Sequence, residues 1–242
     1  MGIYQENFQR YEIKYLLTDE QVCRFWAVAK DRLAPDHYAD STVRSIYFDT
    51  PDYRMIRRSL ERPVYKEKLR LRSYEAPGPE SPVFVELKKK FGGIVYKRRT
   101  ERPLATALAW LCNQNGLAEM SQIEKEIAYA IHFYPALAPA MLITSERKAW
   151  VGIQDPGLRI TFDRRILWRQ EDLSLDRGVG GNALLPAGTQ LMEIKAPGAL
   201  PVWLPRILYA INGYPTSFSK YGNAYRVMMQ QRLRVKRGDI CA

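Results

Sequence analysis

The chain is poor in the residues that usually carry redox and acid–base chemistry. Its 242 residues include three cysteines, Cys23, Cys112 and Cys241, and two histidines, His37 and His132. The cysteines are far apart and form no Cys-x-x-Cys pair, which excludes a disulfide framework and a cysteine-based zinc site. This profile is typical of a reduced, cytoplasmic protein. We interpret both histidines as structural or solvent-exposed, although histidine is the usual acid–base catalyst.

Long apolar runs and the common catalytic signatures are also missing. No stretch has the length of a signal peptide or a membrane span, so we predict no transmembrane segment. There is no P-loop, dinucleotide glycine fingerprint, kinase signature or serine–histidine–aspartate arrangement. Negative charge is scarce, because 37 lysines and arginines exceed 26 acidic residues and leave a net charge of +11. This surplus favours nucleic acid, an anionic membrane surface or a phosphate-rich small polyanion as partner.

Hydrophobic patterning predicts one α+β domain over residues 1–242. The 46% hydrophobic content is enough for one core, and no linker-like stretch divides the chain. About eight segments have strand patterning and are interrupted by helices without regular βα alternation, which predicts an antiparallel sheet. Two capping boxes, Thr18 with Gln21 and Ser121 with Glu124, mark helix starts. If the strands close into a barrel, one side-chain parity of each strand lines the interior.

The segment Val64–Glu75 is the most informative, because every second residue in its centre is a cation. These cations are Lys66, Lys68, Arg70 and Arg72. A β-strand points successive side chains to opposite faces, so all four would lie on one face. A related pattern occurs in Phe84–Lys90, where glutamate and lysine alternate, and in Leu191–Lys195, where Glu193 precedes Lys195. Together these strands predict a charged, concave site for a polyanion.

Cations with a few carboxylates suit phosphoryl transfer, in which the protein positions oxygens, neutralises charge and holds a divalent metal. Arginine forks bind phosphate bidentately, and lysines act as movable point charges. In such a lining Glu193 is either a salt-bridge partner or a metal ligand, because magnesium-type ions take one or two carboxylates together with phosphate oxygens. We interpret Tyr47 and Phe48 as core residues and not as a platform for stacking a nucleotide.

Eight short motifs follow one another along nearly the whole chain. They are Arg10–Tyr15, Arg44–Thr50, Leu69–Arg72, Val85–Lys88, Glu146–Ala149, Arg159–Asp163, Met192–Lys195 and Phe218–Tyr221. In this order, and on strands of the matching parity, they resemble the catalytic domain of the VTC (vacuolar transporter chaperone) family, within the triphosphate tunnel metalloenzymes. One motif alone would be weak, but the eight in order form a strong signal.

This resemblance implies a tunnel of eight antiparallel strands with flanking helices. It also implies a polyphosphate polymerase that moves the γ-phosphate of ATP onto a growing chain with Mn²⁺ or Mg²⁺. By the same resemblance Arg70, Arg72 and Lys88 are catalytic and hold phosphates at the reacting centre, while Glu193 and Glu12 bind the metal. The other phosphate contacts would come from Lys14, Lys97, Arg147, Arg159, Lys195, Ser219 and Lys220, with the two arginines on the opposite wall and Ser219 and Lys220 at the tunnel mouth.

The chain departs from the superfamily pattern at two positions. Tunnel hydrolases open with a Glu-x-Glu-x-Lys pattern, whereas here Arg10 precedes Glu12 and Lys14. One carboxylate fewer disfavours a second, water-activating metal and therefore favours transfer to phosphate over hydrolysis. Ser217 stands where VTC members often have a lysine. The sequence also lacks the regulatory SPX domain and the membrane helices of eukaryotic members, so coupling to a membrane would require a membrane-protein partner.

Two other functions stay open on the sequence alone. A triphosphatase acting on inorganic triphosphate or nucleotides is disfavoured but not excluded by Arg10. A non-catalytic module that binds polyphosphate or nucleic acid would also suit the charge and the 12% aromatic content. The glutamates on the cationic strands would repel the phosphates of a nucleic acid. ATP and inorganic polyphosphate are therefore the predicted partners.

Overall fold

The structure, a computed structural model, describes residues 11–92, 94–113 and 119–238. In these ranges the strands are β1 (Tyr11–Thr18), β2 (Leu33–Asp49), β3 (Tyr65–Ser73), β4 (Pro82–Phe91), β5 (Ile94–Pro103), β6 (Ala138–Gly152), β7 (Arg159–Arg169), β8 (Asn182–Ala183), β9 (Thr189–Ala196) and β10 (Pro215–Thr216). The helices are α1 (Asp19–Ala29), α2 (Arg54–Leu60), α3 (Leu104–Asn113), α4 (Gln122–Phe133), α5 (Trp203–Ala210) and α6 (Lys220–Gly238). Arg10 lies outside the described residues.

The strands pair in the order β10-β1-β9-β7-β6-β2-β3-β4-β5, with β8 beside β7. Each register that the structure describes is antiparallel. β8 and β10 have two residues each, so the longer strands in the described ranges number eight. The predicted α+β class with an antiparallel sheet is confirmed. The hydrogen-bonded order of the described strands ends at β10 on one side and at β5 on the other.

Local sequence signals explain where several elements begin and turn. Both predicted capping boxes are formed, by Thr18 with Gln21 at α1 and by Ser121 with Glu124 at α4. Each box satisfies backbone N–H groups that the first helical turn would otherwise leave without a partner. β4 and β5 form a hairpin, in which Gly92 has a φ of 53°, a conformation that costs glycine little.

The chain packs into two compact units. The first unit consists of Met1–Thr42, Ser145–Ile166 and Leu185–Ser217, and the second of Val43–Thr144, Leu167–Leu184 and Phe218–Ala242. Each has its own apolar cluster, centred in the first unit on residues such as Phe25 and Ile160 and in the second on residues such as Leu69 and Leu87. Burying each such side chain contributes about 1.5–3 kcal/mol. A single domain over residues 1–242 stays a prediction.

The core of the second unit determines which way its cationic strands face. Leu69, Leu71, Val85 and Leu87 of β3 and β4 are fully buried. Because side chains alternate along a strand, the intervening residues must point to the other face. His37 and His132 are exposed, in agreement with a structural or solvated role. None of the helices in the described ranges is both long and apolar enough to cross a bilayer.

Candidate active site

Strands β3, β4 and β5 of the second unit present one continuous charged face. In the β3–β4 register Lys68 lies opposite Lys88 and Arg70 opposite Glu86, and in the β4–β5 register Lys88 lies opposite Lys97. Residues directly opposite each other on antiparallel strands share a face. We call this surface the basic face. Its members are Lys66, Lys68, Arg70, Arg72, Glu86, Lys88, Lys90, Lys97 and Arg99.

Glu86 is the centre of the basic face. Its side chain is only 1% exposed, and four cations lie within 4 Å of its carboxylate. Arg70 donates to Oε2 from both Nε and Nη2, each at 2.7 Å. Lys97 Nζ lies 2.6 Å from Oε1. Arg72 and Arg99 stand further away, with Nε at 3.9 Å and 3.7 Å from the carboxylate.

The charge balance around Glu86 is strongly positive. Burial alone would raise the pKa of Glu86, but Arg70, Arg72 and Lys97 outweigh it and hold that pKa far below its usual range. For Lys97, burial lowers the pKa, Glu86 offsets part of the effect, and the neighbouring arginines lower the pKa further. One ionised carboxylate therefore faces four cations. This surplus of positive charge would attract a polyanion.

Tyr47 and Ser45 of β2 hold the two arginines from the other side. In the β2–β3 register Tyr47 lies opposite Arg70 and Ser45 opposite Arg72. Arg70 Nη1 donates to the Tyr47 hydroxyl at 3.2 Å, and Arg72 Nε donates to Ser45 Oγ at 3.1 Å. Burial would raise the pKa of Tyr47, but Arg70 and Arg72 outweigh it and lower that pKa to about 8. Tyr47 is buried as predicted, but its hydroxyl belongs to the site.

The N-terminal end of α6 lies beside the basic face. Lys68 Nζ donates to Ser219 Oγ at 2.9 Å, and the same oxygen accepts the Gly222 backbone N–H at 3.1 Å. Ser219 is therefore held at the helix start, where backbone N–H groups and the helix dipole favour anions. Lys220 follows as the first residue of α6. The structure thus places the predicted Ser219 against Lys68, one of the four alternating cations of β3.

In the first unit, Lys14 lies between the two predicted metal ligands. Its Nζ is 3.2 Å from Glu12 Oε1 and 3.4 Å from Glu193 Oε1. The β1–β9 register places Lys14 opposite Glu193 and Glu12 opposite Lys195. Burial would lower the pKa of Lys14, but Glu193 and Glu12 outweigh it and raise that pKa. Two carboxylates thus share one ammonium group.

These two carboxylates fit a divalent ion of the magnesium type. Such an ion takes one or two protein carboxylates and completes its octahedron with water and phosphate oxygens. Glu12 and Glu193 supply carboxylate oxygen donors on either side of the Lys14 ammonium group. Across residues 11–92, 94–113 and 119–238, no three histidine, cysteine or acidic side chains form a metal-binding group. A metal held by these two carboxylates would therefore complete its coordination with water and phosphate oxygens.

The two arginines predicted to bind phosphate in the first unit are each paired with an aspartate. Arg147 donates from Nε and Nη2 to the two oxygens of Asp163, both at 2.7 Å, and this pair is buried. Arg159 Nη2 lies 2.6 Å from Asp36 Oδ2. A bidentate pair fixes the plane of a guanidinium. Asp163 therefore sets the direction in which the rest of the Arg147 fork points.

Comparison with known proteins identifies the family. The family model for the VTC domain matches residues 9–229. The chain belongs to the VTC-domain family. The predicted resemblance is thereby confirmed, and membership supports an enzyme of the triphosphate tunnel class. No curated protein matches the chain.

Two solved structures are similar to this VTC-domain protein in fold. One is a protein from Bacillus halodurans, provisionally described as an adenylate cyclase, with 14% identity and a TM-score of 0.53 over 86% of this chain and 92% of that one. The other, from Vibrio parahaemolyticus and described in the same way, has 12% identity and a TM-score of 0.53 over 91% and 99% of the respective chains. At these identities the likeness concerns the fold alone.

The structure adds to the site three residues that the sequence motifs do not assign to it. Glu86 was visible as an acidic residue in a cationic strand, but its place among four cations follows only from the registers of three strands. The same registers place Arg99 beside Glu86. The sequence around Tyr47 predicts only a buried aromatic residue. The hydroxyl contact with Arg70 depends on the pairing of β2 with β3.

Proposed function

We propose that this VTC-domain protein is a metal-dependent polyphosphate polymerase that transfers the γ-phosphate of ATP to a growing polyphosphate chain. The observation that carries the proposal is the group of four cations around the buried Glu86. The excess of positive charge is fixed in place by strands and by a carboxylate. It suits a substrate and a product that are both rows of phosphates.

The reaction would be a direct displacement at phosphorus. A terminal oxygen of the polyphosphate attacks the γ-phosphorus, the bond from that phosphorus to the β–γ bridging oxygen breaks, and ADP leaves. Arg70 and Arg72, each held by a β2 hydroxyl, would bind the phosphate oxygens on which charge accumulates. Such fixed donors stabilise the transition state because they need not reorganise during the reaction. Lys88 and Lys97 would neutralise the neighbouring phosphates as point charges.

The metal would be held by Glu12 and Glu193. When bound, Mn²⁺ or Mg²⁺ would neutralise charge on the phosphate oxygens and help to orient them. Lys14, between the two carboxylates, would limit the negative charge when no metal is present. Arg147, Arg159, Lys195, Ser219 and Lys220 are proposed to contact phosphate, as the resemblance implies. Arg147 would do so in an orientation set by Asp163.

Transfer and hydrolysis differ in their products, which gives a direct test. Purified protein is incubated with ATP and Mn²⁺, and ADP and orthophosphate are measured separately over time. A polymerase releases ADP with almost no orthophosphate, whereas a triphosphatase releases at least one orthophosphate for each ATP consumed. Stoichiometric orthophosphate would refute the proposed transfer and support hydrolysis. The Arg98→Ala variant is a suitable control. Arg98 lies on β5 but points away from the basic face, where it pairs with Glu126 of α4.

A further inference from the structure

The basic face changes character along its length. At one end of β3 and β4, lysine lies opposite lysine, as with Lys66 and Lys90. At the other end, Arg72 lies opposite Phe84, and Tyr74 follows β3 directly. Between Phe84 and Lys90 the strand rises about 20 Å. One end of the face therefore carries lysines, while the other offers aromatic surface beside arginine.

Arg99 joins the charged and the aromatic parts. Its guanidinium carbon lies 3.4 Å from the centre of the Phe84 ring and 5.8 Å from the centre of the Tyr74 ring. The two rings meet edge to face, with centroids 5.8 Å apart. Arg99 Nε is also 3.7 Å from Glu86 Oε1, so the same side chain belongs to the charged group around Glu86.

The Arg99 guanidinium lies over the Phe84 ring, and the Arg99 side chain as a whole is one-third exposed. A planar guanidinium that rests on a ring presents its other face as a stacking surface, and nucleobases stack on arginine planes and aromatic rings. Glu101 lies opposite Phe84 in the β4–β5 register. A carboxylate at this end would repel phosphate but could accept a hydrogen bond from the amino group of a base.

We propose that Phe84, Tyr74 and Arg99 form a stacking platform for the base of the donor nucleotide. The base would lie at the Phe84 end, and its phosphates would extend past Arg70 and Arg72 toward the lysines. This order matches the substrate, which is flat and uncharged at one end and anionic at the other. The inference rests on the proposed function. It explains why the enzyme would use a nucleotide, and not inorganic triphosphate, as the phosphate donor.

The test compares ADP with pyrophosphate, which differ by the adenosine group and contain no γ-phosphate to transfer. Binding of each is measured by calorimetry for the wild type and for Phe84→Leu, Phe84→Tyr and Phe133→Leu. Phe133 of α4 is the matched control, because the Arg54 guanidinium lies over its ring, 5.7 Å from the ring centre. Phe84→Leu should weaken ADP binding by about 5- to 100-fold and change pyrophosphate binding by no more than roughly twofold, whereas Phe84→Tyr and Phe133→Leu should bind ADP like the wild type.

Three results would overturn the inference. Equal losses for ADP and pyrophosphate in Phe84→Leu would show that Phe84 only supports the fold of the basic face. A wild type that binds pyrophosphate as tightly as ADP would exclude a base platform and leave the proposed function intact. A wild type that binds neither compound would overturn the inference together with the proposed function.

Discussion

Arg70 and Glu86 face each other across β3 and β4, with both Nε and Nη2 of the arginine 2.7 Å from one carboxylate oxygen. Tyr47 holds the other branch of the same guanidinium. Arg70 is therefore fixed from two sides before any substrate arrives. The pKa of Arg70 is raised even though burial would lower it, because Glu86 and Tyr47 outweigh burial.

Arg70→Ala should abolish turnover without unfolding the protein. It removes the best-oriented phosphate donor, and loss of one such donor lowers kcat by about 100- to 1,000-fold. ATP consumption and circular dichroism are measured together, with Arg98→Ala as the control that removes an arginine from the other parity of β5. Full activity in Arg70→Ala, with unchanged dependence on salt, would contradict the site assignment.

Glu86→Gln should destabilise the fold, because it leaves four cations without their common carboxylate. Removing one partner of a buried ion pair costs about 3 kcal/mol or more. Inorganic triphosphate should restore most of the loss by supplying the missing negative charge. Denaturant unfolding with and without triphosphate measures both effects. Glu126→Gln is the control, since Glu126 pairs with Lys89 and Arg98 away from the basic face. Equal rescue of both variants would count against the account.

The pKa of Tyr47, lowered to about 8, predicts that this tyrosine ionises below the usual range for a tyrosine. Between this value and the ordinary value near 10, the unfolded state keeps a proton that the folded state has lost. Stability should therefore rise with pH across this window, by at most roughly 3 kcal/mol. Tyrosinate absorbance of the wild type minus that of Tyr47→Phe gives the titration. Bound triphosphate should move the midpoint upward, because it neutralises Arg70 and Arg72. A midpoint that triphosphate leaves unchanged would place the anion elsewhere.

Asp163→Asn should impair the protein through Arg147. The substitution removes the charge of a buried bidentate pair, which costs about 3 kcal/mol of stability. The KM for ATP should also rise, because the Arg147 guanidinium loses its fixed plane. Glu146→Gln serves as the control, since Glu146 pairs with the exposed Arg164 and Arg165. If both variants keep wild-type KM values, Asp163 stabilises the fold and does not position Arg147 for substrate.

Glu193→Gln should weaken metal binding and also change Lys14. With one carboxylate removed, Mn²⁺ should bind at least tenfold more weakly in the presence of pyrophosphate, as followed by the paramagnetic signal of free Mn²⁺. The pKa of Lys14 should fall, because Glu193 is the strongest of the contacts that raise it. Glu20→Gln, in the first turn of α1, is the control. Unaltered Mn²⁺ binding in Glu193→Gln would remove this residue from the metal site.

The sequence predicted the elements well where local patterns decide them. The hydrophobic pattern predicts a strand over Thr189–Ala196, and β9 has these bounds. Both predicted capping boxes are formed. The sequence predicts a strand start at Val43, whereas β2 begins ten residues earlier, at Leu33. Among the first ten residues of β2 only Leu33 is buried, so this segment lacks the apolar alternation that marks a half-buried strand.

The composition of the site was harder to predict, since it depends on which residues lie opposite each other. The sequence of β3 alone predicts that Arg70 and Arg72 point to the same face of the strand. The convergence of Arg70 and Lys97 on Glu86 requires the registers of three strands. The pairing of Arg147 with Asp163 likewise joins two strands. Such pairings are set by tertiary packing and leave no periodic trace in the chain.

Growth of polyphosphate from ATP is the most direct measure of the central claim. Purified protein is incubated with ATP and Mn²⁺ and followed by phosphorus NMR, with Arg70→Ala in parallel. The account predicts a growing signal of internal phosphates, matched by ADP in the wild type and absent in the variant. Release of orthophosphate alone, or ATP binding without any turnover, would contradict a polymerase.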